Sequence, residues 1–186
     1  ALSQKKYGKN KPDTRAMRII ADHVRAAVFI LGDERAIKPS NIGQGYVLRR
    51  LIRRAIRYAR ELNIKESLTK LISPILLIYQ NDYPQLKKNK SFIEQELKKE
   101  EDRFLKTLEK GLRVFNKISK GKKQIDCKDA FLLYQSYGFP IEITKELAKE
   151  KNIKIDEKGF EKELAKHQKL SRTATQGRFK SGLADK

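Results

Sequence analysis

Six arginines, Arg49, Arg50, Arg53, Arg54, Arg57 and Arg60, follow a polar turn that carries two glycines, Gly43 and Gly45. At about 100° per residue, a helix over this stretch gathers the arginines into an arc of about 140°. Val47, Leu48, Leu51, Ile52, Ala55, Ile56 and Ala59 take the opposite arc. One face can pack while the other presents a continuous guanidinium surface. Guanidinium groups match phosphate oxygens in both charge and planar geometry. The chemistry implied is a grip on a nucleic-acid backbone.

The remaining candidates for chemistry are sparse. Gly43-Gln44-Gly45 lacks the third glycine of a dinucleotide loop, no strand precedes it, and no Gly-Lys-Ser/Thr follows, which excludes a Walker loop. A structural turn and an anion site at the helix N-terminus both fit it. His23 lies among Ile19, Ile20 and Ala27 at helical spacing and reads as a buried, hydrogen-bonded core residue. The one cysteine, Cys127, excludes a disulfide framework and a cysteine-based zinc site. No nucleophile–base pair stands out and no metal ligand set is expected. Glu94 with Lys98 reads as a surface pair at i, i+4.

Elements that would hold the arginine helix follow from apolar spacing. A helix is expected from Asp13 as N-cap, through Ile20, Val24, Ala27 and Leu31, to a stop at Gly32-Asp33. The arginine helix runs to about Leu62. A short apolar helix over Ser67 to Tyr79 must kink or restart at Pro74. A long helix from about Lys88 to Ile118 carries Ile93, Leu97, Phe104, Leu108, Leu112 and Phe115. Its wide apolar stripe suits intramolecular packing, and Lys98, Lys99, Glu100, Glu101 and Asp102 read as solvated surface. Asp126 caps a helix over Ala130 to Tyr137, Gly138 closes it, and Pro140 opens the next. Asp156 caps a last helix to about Thr175. Only Ile153 to Ile155 hints at a strand. The fold expected is all-α, an irregular bundle of about seven helices with one long one. Residues 1–12 are expected to be a linker, 13–120 and 121–175 two helical subdomains, and 176–186 the start of a further connection.

Lys and Arg number 43 against 23 acids, a formal net charge of +20. Such a surplus speaks of partners rather than of fold. No apolar run reaches a membrane-spanning length, and no signal core follows the first lysines. The expected setting is the cytoplasm, without a membrane partner. The first residue is Ala rather than Met, which suggests a piece of something longer.

Four blocks resemble one family. Met17 to Ala26, with Arg18, Ala21, Asp22, His23 and Arg25, is similar to the Arg-x-Ile-Ala-Asp-His-x-Arg-Ala signature of the alanyl-tRNA synthetases. Pro39-Ser40-Asn41 through Ala55 resembles the same family's next block. Ala130 to Tyr134 with Tyr137-Gly138-Phe139-Pro140 resembles a third, and Phe179 to Asp185 is similar to the entry into the editing module. The resemblance implies the helical tRNA-recognition domain, between a class II catalytic core and the editing domain, with no catalytic motif of its own. Those two domains and the acceptor stem of alanine tRNA are the implied partners. ATP and Mg, with Zn in the editing domain, are implied for the parent enzyme and no cofactor for this stretch.

By the same resemblance Asn41 reads the acceptor-stem G·U pair, whose guanine 2-amino group lacks a pairing partner in the shallow minor groove. The second reader is an Asp in the family; here Gln135 stands there, keeping a carbonyl acceptor but losing the charge. Ser40, Gln44, Arg49, Arg50, Arg53, Arg54 and Arg57 are the expected backbone contacts, Gln44 replacing a frequent Arg. Some of the arginines are expected instead to pair with acids of the long helix or to face the catalytic domain. Arg53→Ala should weaken binding to all stems alike and flatten its salt dependence. The alternatives are a stand-alone helical RNA- or DNA-binding protein using the same face, and a helical interaction module that binds no nucleic acid.

Overall fold

The computed structural model describes residues 2–180, with side chains through residue 170. The described residues are predominantly helical, so the all-α expectation holds. Among the described residues there are eight α-helices, one more than expected: α1 (Lys11–Gly32), α2 (Gly43–Glu61), α3 (Ile72–Tyr79), α4 (Pro84–Lys88), α5 (Lys90–Ser119), α6 (Cys127–Tyr137), α7 (Ile141–Glu150) and α8 (Glu157–Lys180). A 3-10 turn over Leu68–Leu71 precedes α3, so Pro74 restarts the helix rather than kinking one. The chain forms two compact units that divide within α5, between Glu109 and Lys110, rather than at residue 120.

In the first unit, α1 begins two residues earlier than expected. Asn10 is the N-cap, its Oδ1 accepting from the Asp13 N–H at 2.8 Å, and Pro12 sits in the first turn, where its missing N–H costs nothing. Lys11 and Pro12 are therefore helix rather than linker. Ala16, Ile20, Val24, Ala27 and Leu31 of α1 are buried, as are Leu48, Ile52, Ala55, Ile56 and Ala59 of α2. The two helices pack closely along each other. Val47, expected in the packed arc, is 41% exposed. Phe29 meets Tyr79 and Tyr83 edge-on at 5.1 and 4.9 Å, closing the end of α1 onto α3.

The second unit buries Phe115, Ile125, Leu133, Phe139, Ile143 and Phe160. Asp126 caps α6 as expected, accepting from the Asp129 N–H at 2.8 Å, and Gly138 closes it in the left-handed region at φ 65°. Two short strands were not fully foreseen: β1 (Gln124–Ile125) pairs in parallel with β2 (Lys154–Ile155). Only β2 had left a trace in the sequence. Two residues are too few to show alternation, so β1 left no such trace.

Candidate nucleic-acid interface

The turn before α2 is built by close approach. Ser40 N donates to the Gly45 carbonyl at 3.0 Å, and Ser40 Oγ donates to the Ile42 carbonyl at 2.8 Å. A Cβ on Gly45 would collide with the Lys38 carbonyl oxygen and with Ser40 Oγ. Glycine there lets the turn fold back against the first turn of α2. Ser40 thus spends its hydroxyl on the turn itself. Asn41 is left exposed, and Gln44 is exposed in the first turn of α2.

Behind the turn, arginines of α2 pair with acids of the long helix α5, as expected for some of them, in a charged chain whose individual members spacing did not name. Arg49 donates from Nη1 to Oδ1 of Asn41 and from Nε to Oε1 of Glu100, the latter at 3.1 Å. Arg53 Nε donates to the same Glu100 oxygen at 2.6 Å. Glu100 is 1% exposed and Arg53 6%. The Arg53 guanidinium also lies over the Phe104 ring, 5.0 Å from its centroid. A planar cation of this kind tolerates burial between a carboxylate and an aromatic face. Glu100 therefore aims Arg49, and Arg49 holds Asn41.

This corrects the picture of a continuous guanidinium surface. Arg53 and Arg57 are buried, Arg57 lying 4.8 Å from the Tyr58 centroid. Arg60 pairs with Glu109 at 2.8 Å, while Arg50 and Arg54 are half-buried. The polar arc of α2 meets the acids of α5, and so it belongs largely to the interior. Glu100 and Glu101, read as solvated, are both buried. Each lies between Leu97 and Phe104 at helical spacing, on the inner face of α5. Glu101 caps the 3-10 turn, accepting from the Leu68 N–H at 2.9 Å and from Ser67 Oγ. The pair expected between Glu94 and Lys98 is replaced by two others: Lys90 with Glu94 at 3.8 Å, and Lys98 with Asp102. Lysine and acid alternate along this face, so spacing alone left the choice open. Arg53→Ala consequently acts first on the packing of the unit.

His23 is half-buried rather than buried, and its Nε2 lies 2.9 Å from Arg54 Nη1. Cys127 is half-buried in the first turn of α6. In the second unit Gln135 is exposed on α6, next to a Tyr134 that turns inward to meet Phe160 edge-on at 5.6 Å. Of the expected contacts, Asn41, Gln44 and Gln135 are exposed and Ser40, Arg49, Arg50 and Arg54 partly so. The block similar to the editing entry falls at Ser181 to Asp185 outside the described residues. No helix among the described residues is long and apolar enough to cross a membrane.

Comparison with known proteins matches residues 1–185 to the family described as tRNA synthetases class II (A). An alanine–tRNA ligase of Borrelia garinii subsp. bavariensis is 50% identical over 99% of this chain and 32% of its own length. One from Treponema pallidum is 44% identical over 99% of this chain and 31% of its own. One from Pediococcus pentosaceus is 42% identical over 93% and 20%. The chain thus spans about a third or less of the curated relatives it matches. With the four motif blocks in order along it, the chain belongs to the alanyl-tRNA synthetase family of class II tRNA synthetases.

Proposed function

We propose that this chain is the part of an alanine–tRNA ligase that docks the acceptor stem of alanine tRNA, in the cytoplasm, for a class II catalytic domain elsewhere in the parent chain. ATP with Mg, and Zn in the editing domain, belong to those other parts. The observation that carries the reading is Asn41. It is exposed at the tip of a turn whose shape is fixed by Ser40 and Gly45, and its carbonyl is held by an arginine anchored on a buried carboxylate. An amide oxygen has two lone pairs. With one turned to Arg49, the second is available to the unpaired 2-amino group of a wobble guanine in the minor groove. Gln135 supplies the second, uncharged reader. Gln44, Arg50 and Arg54, exposed or half-exposed, touch phosphates, giving register without sequence. Arg49, Arg53 and Arg57 serve chiefly to position the turn and its helix.

The test is binding of the chain to an acceptor-stem duplex at fixed, near-physiological salt. The native G·U pair is compared with G·C and A·U in its place. A preference of about tenfold, or about 1.4 kcal/mol, that disappears in Asn41→Ala is the expected result. Equal binding to all three stems would overturn Asn41 and Gln135 as readers.

A further inference from the structure

Four of the six α2 arginines pair with acids, Arg49 and Arg53 sharing Glu100, and Arg54 lies in a second cationic region. Beside the start of α1 lies an open cleft of about 710 Å³ whose lining includes Lys9, Lys11, Arg15, Arg18 and Arg54. Among the described residues, five cations line it and no carboxylate does. The nearest acid along the chain, Asp13, lines a neighbouring hollow instead and is held there by Lys5 Nζ at 2.7 Å. The walls are ordered by their own contacts. Arg18 Nε donates to the Tyr7 hydroxyl at 2.8 Å with its guanidinium over the Tyr7 ring, and Arg15 lies over Tyr58 at 6.0 Å. The N-terminus of α1 contributes little, because Asn10 already caps it.

We propose that this acid-free cleft of Lys9, Lys11, Arg15, Arg18 and Arg54 grips consecutive phosphates of an RNA backbone. Concentrated like charges cost the folded state self-repulsion, which a bound polyanion removes. Five cations exceed what a single phosphate dianion can neutralise, and the cleft is open, so a strand can pass along it. Arg15 and Arg18 supply fork-shaped donors that suit phosphate oxygens, while Lys9 and Lys11 act as point charges. The inference rests on the acceptor-stem reading for its RNA, but it adds to Arg54 of α2 a set of cations in and just before α1, where sequence spacing had placed the grip on α2 alone.

The experiment uses the whole 186-residue chain and acceptor-stem duplexes carrying G·U or G·C, titrated over a range of salt. Lys9→Ala with Lys11→Ala removes two exposed charges, and Arg15→Gln gives an independent variant. Lys158→Ala with Lys162→Ala, on the exposed side of α8, controls for net charge. The cleft pair should bind both stems about tenfold more weakly than the control pair. Its salt slope should fall by about one for each phosphate that the protein no longer neutralises. If the cleft pair equals the control while the unaltered chain binds, the cleft is not the grip and the acceptor-stem reading survives. If the unaltered chain binds neither stem, that reading fails and takes the cleft with it. Competition by inorganic phosphate as strong as by RNA would mean a small-anion site and would also overturn the proposal.

Discussion

The two units handle polarity in opposite ways. The first buries four charged side chains, Arg53, Arg57, Glu100 and Glu101, at 6% exposure or less. The second buries no charged side chain among the described residues; its buried polar groups are the hydroxyls of Ser119 and Thr144. Its core is aromatic and aliphatic, and the buried Phe160 meets the half-buried Phe131 and Tyr134 at 6.2 and 5.6 Å. One unit is held in register by directional, charge-assisted bonds, the other by shape. A charged core fixes where side chains point but fails badly when one member is removed, whereas an apolar core degrades by volume.

The largest expected effect tests the first half of that contrast. Glu100→Ala leaves Arg53 buried without its carboxylate and should cost about 3–5 kcal/mol. Hydrogen exchange should show amides of α1 and α2 losing protection while those of α7 keep theirs. A loss spread evenly over both units would break the comparison.

Gly111→Ala tests the second half. The added Cβ would lie 2.5 Å from the Phe139 ring, an overpacking expected to cost about 1–3 kcal/mol, reduced by up to about 1 kcal/mol of helix propensity. Denaturant midpoints would register the net loss. A gain in stability would mean that this core yields where it is described as tight.

Asp126→Ala should cost about 1 kcal/mol, the usual value of an N-cap, read as a lowered denaturant midpoint. It so sharpens the contrast: the charge-assisted cap of α6 lies at the second unit's surface rather than in its core.

Smallest is Asp13. Hydrogen bonds from Lys5 and then Asn10 hold its carboxyl below the ordinary 3.8. A group lowered on folding stabilises the protein above its unfolded pKa and loses that contribution as pH falls through the folded one. Asp13→Asn should therefore differ from the unaltered chain at neutral pH, and the two should converge well below pH 3.8. A difference that persists there would show that Asp13 acts by packing.

The helices were legible because apolar side chains recur at 3.6-residue spacing, and the caps at Asp126 and Gly138 because their chemistry is local. At α1 two acceptors stood near the boundary, and Asn10 rather than Asp13 took the cap. The failures concern partners far apart along the chain. Spacing shows that six arginines share one side of α2. Whether that side meets solvent or an acid 47 residues away, as Arg53 meets Glu100, depends on the packing of α5. Inside Lys98-Lys99-Glu100-Glu101-Asp102 the two buried acids look like their solvated neighbours. The cleft at α1 was overlooked for a related reason: Lys9, Lys11, Arg15 and Arg18 look scattered until the segment before α1 folds beside it.

One oxygen of Glu100 serves arginines a helical turn apart, at positions 49 and 53. The three positions are consequently bound together in inheritance. A lineage that loses the acid keeps a buried cation at 53 that has lost this carboxylate, and one that loses Arg53 leaves Arg49 as the partner of that acid oxygen. Replacing all three together by apolar residues of similar volume can leave folding intact, but it would also release Asn41. Descendants that still depend on that turn should therefore keep all three, and those that have abandoned it should change them as a set.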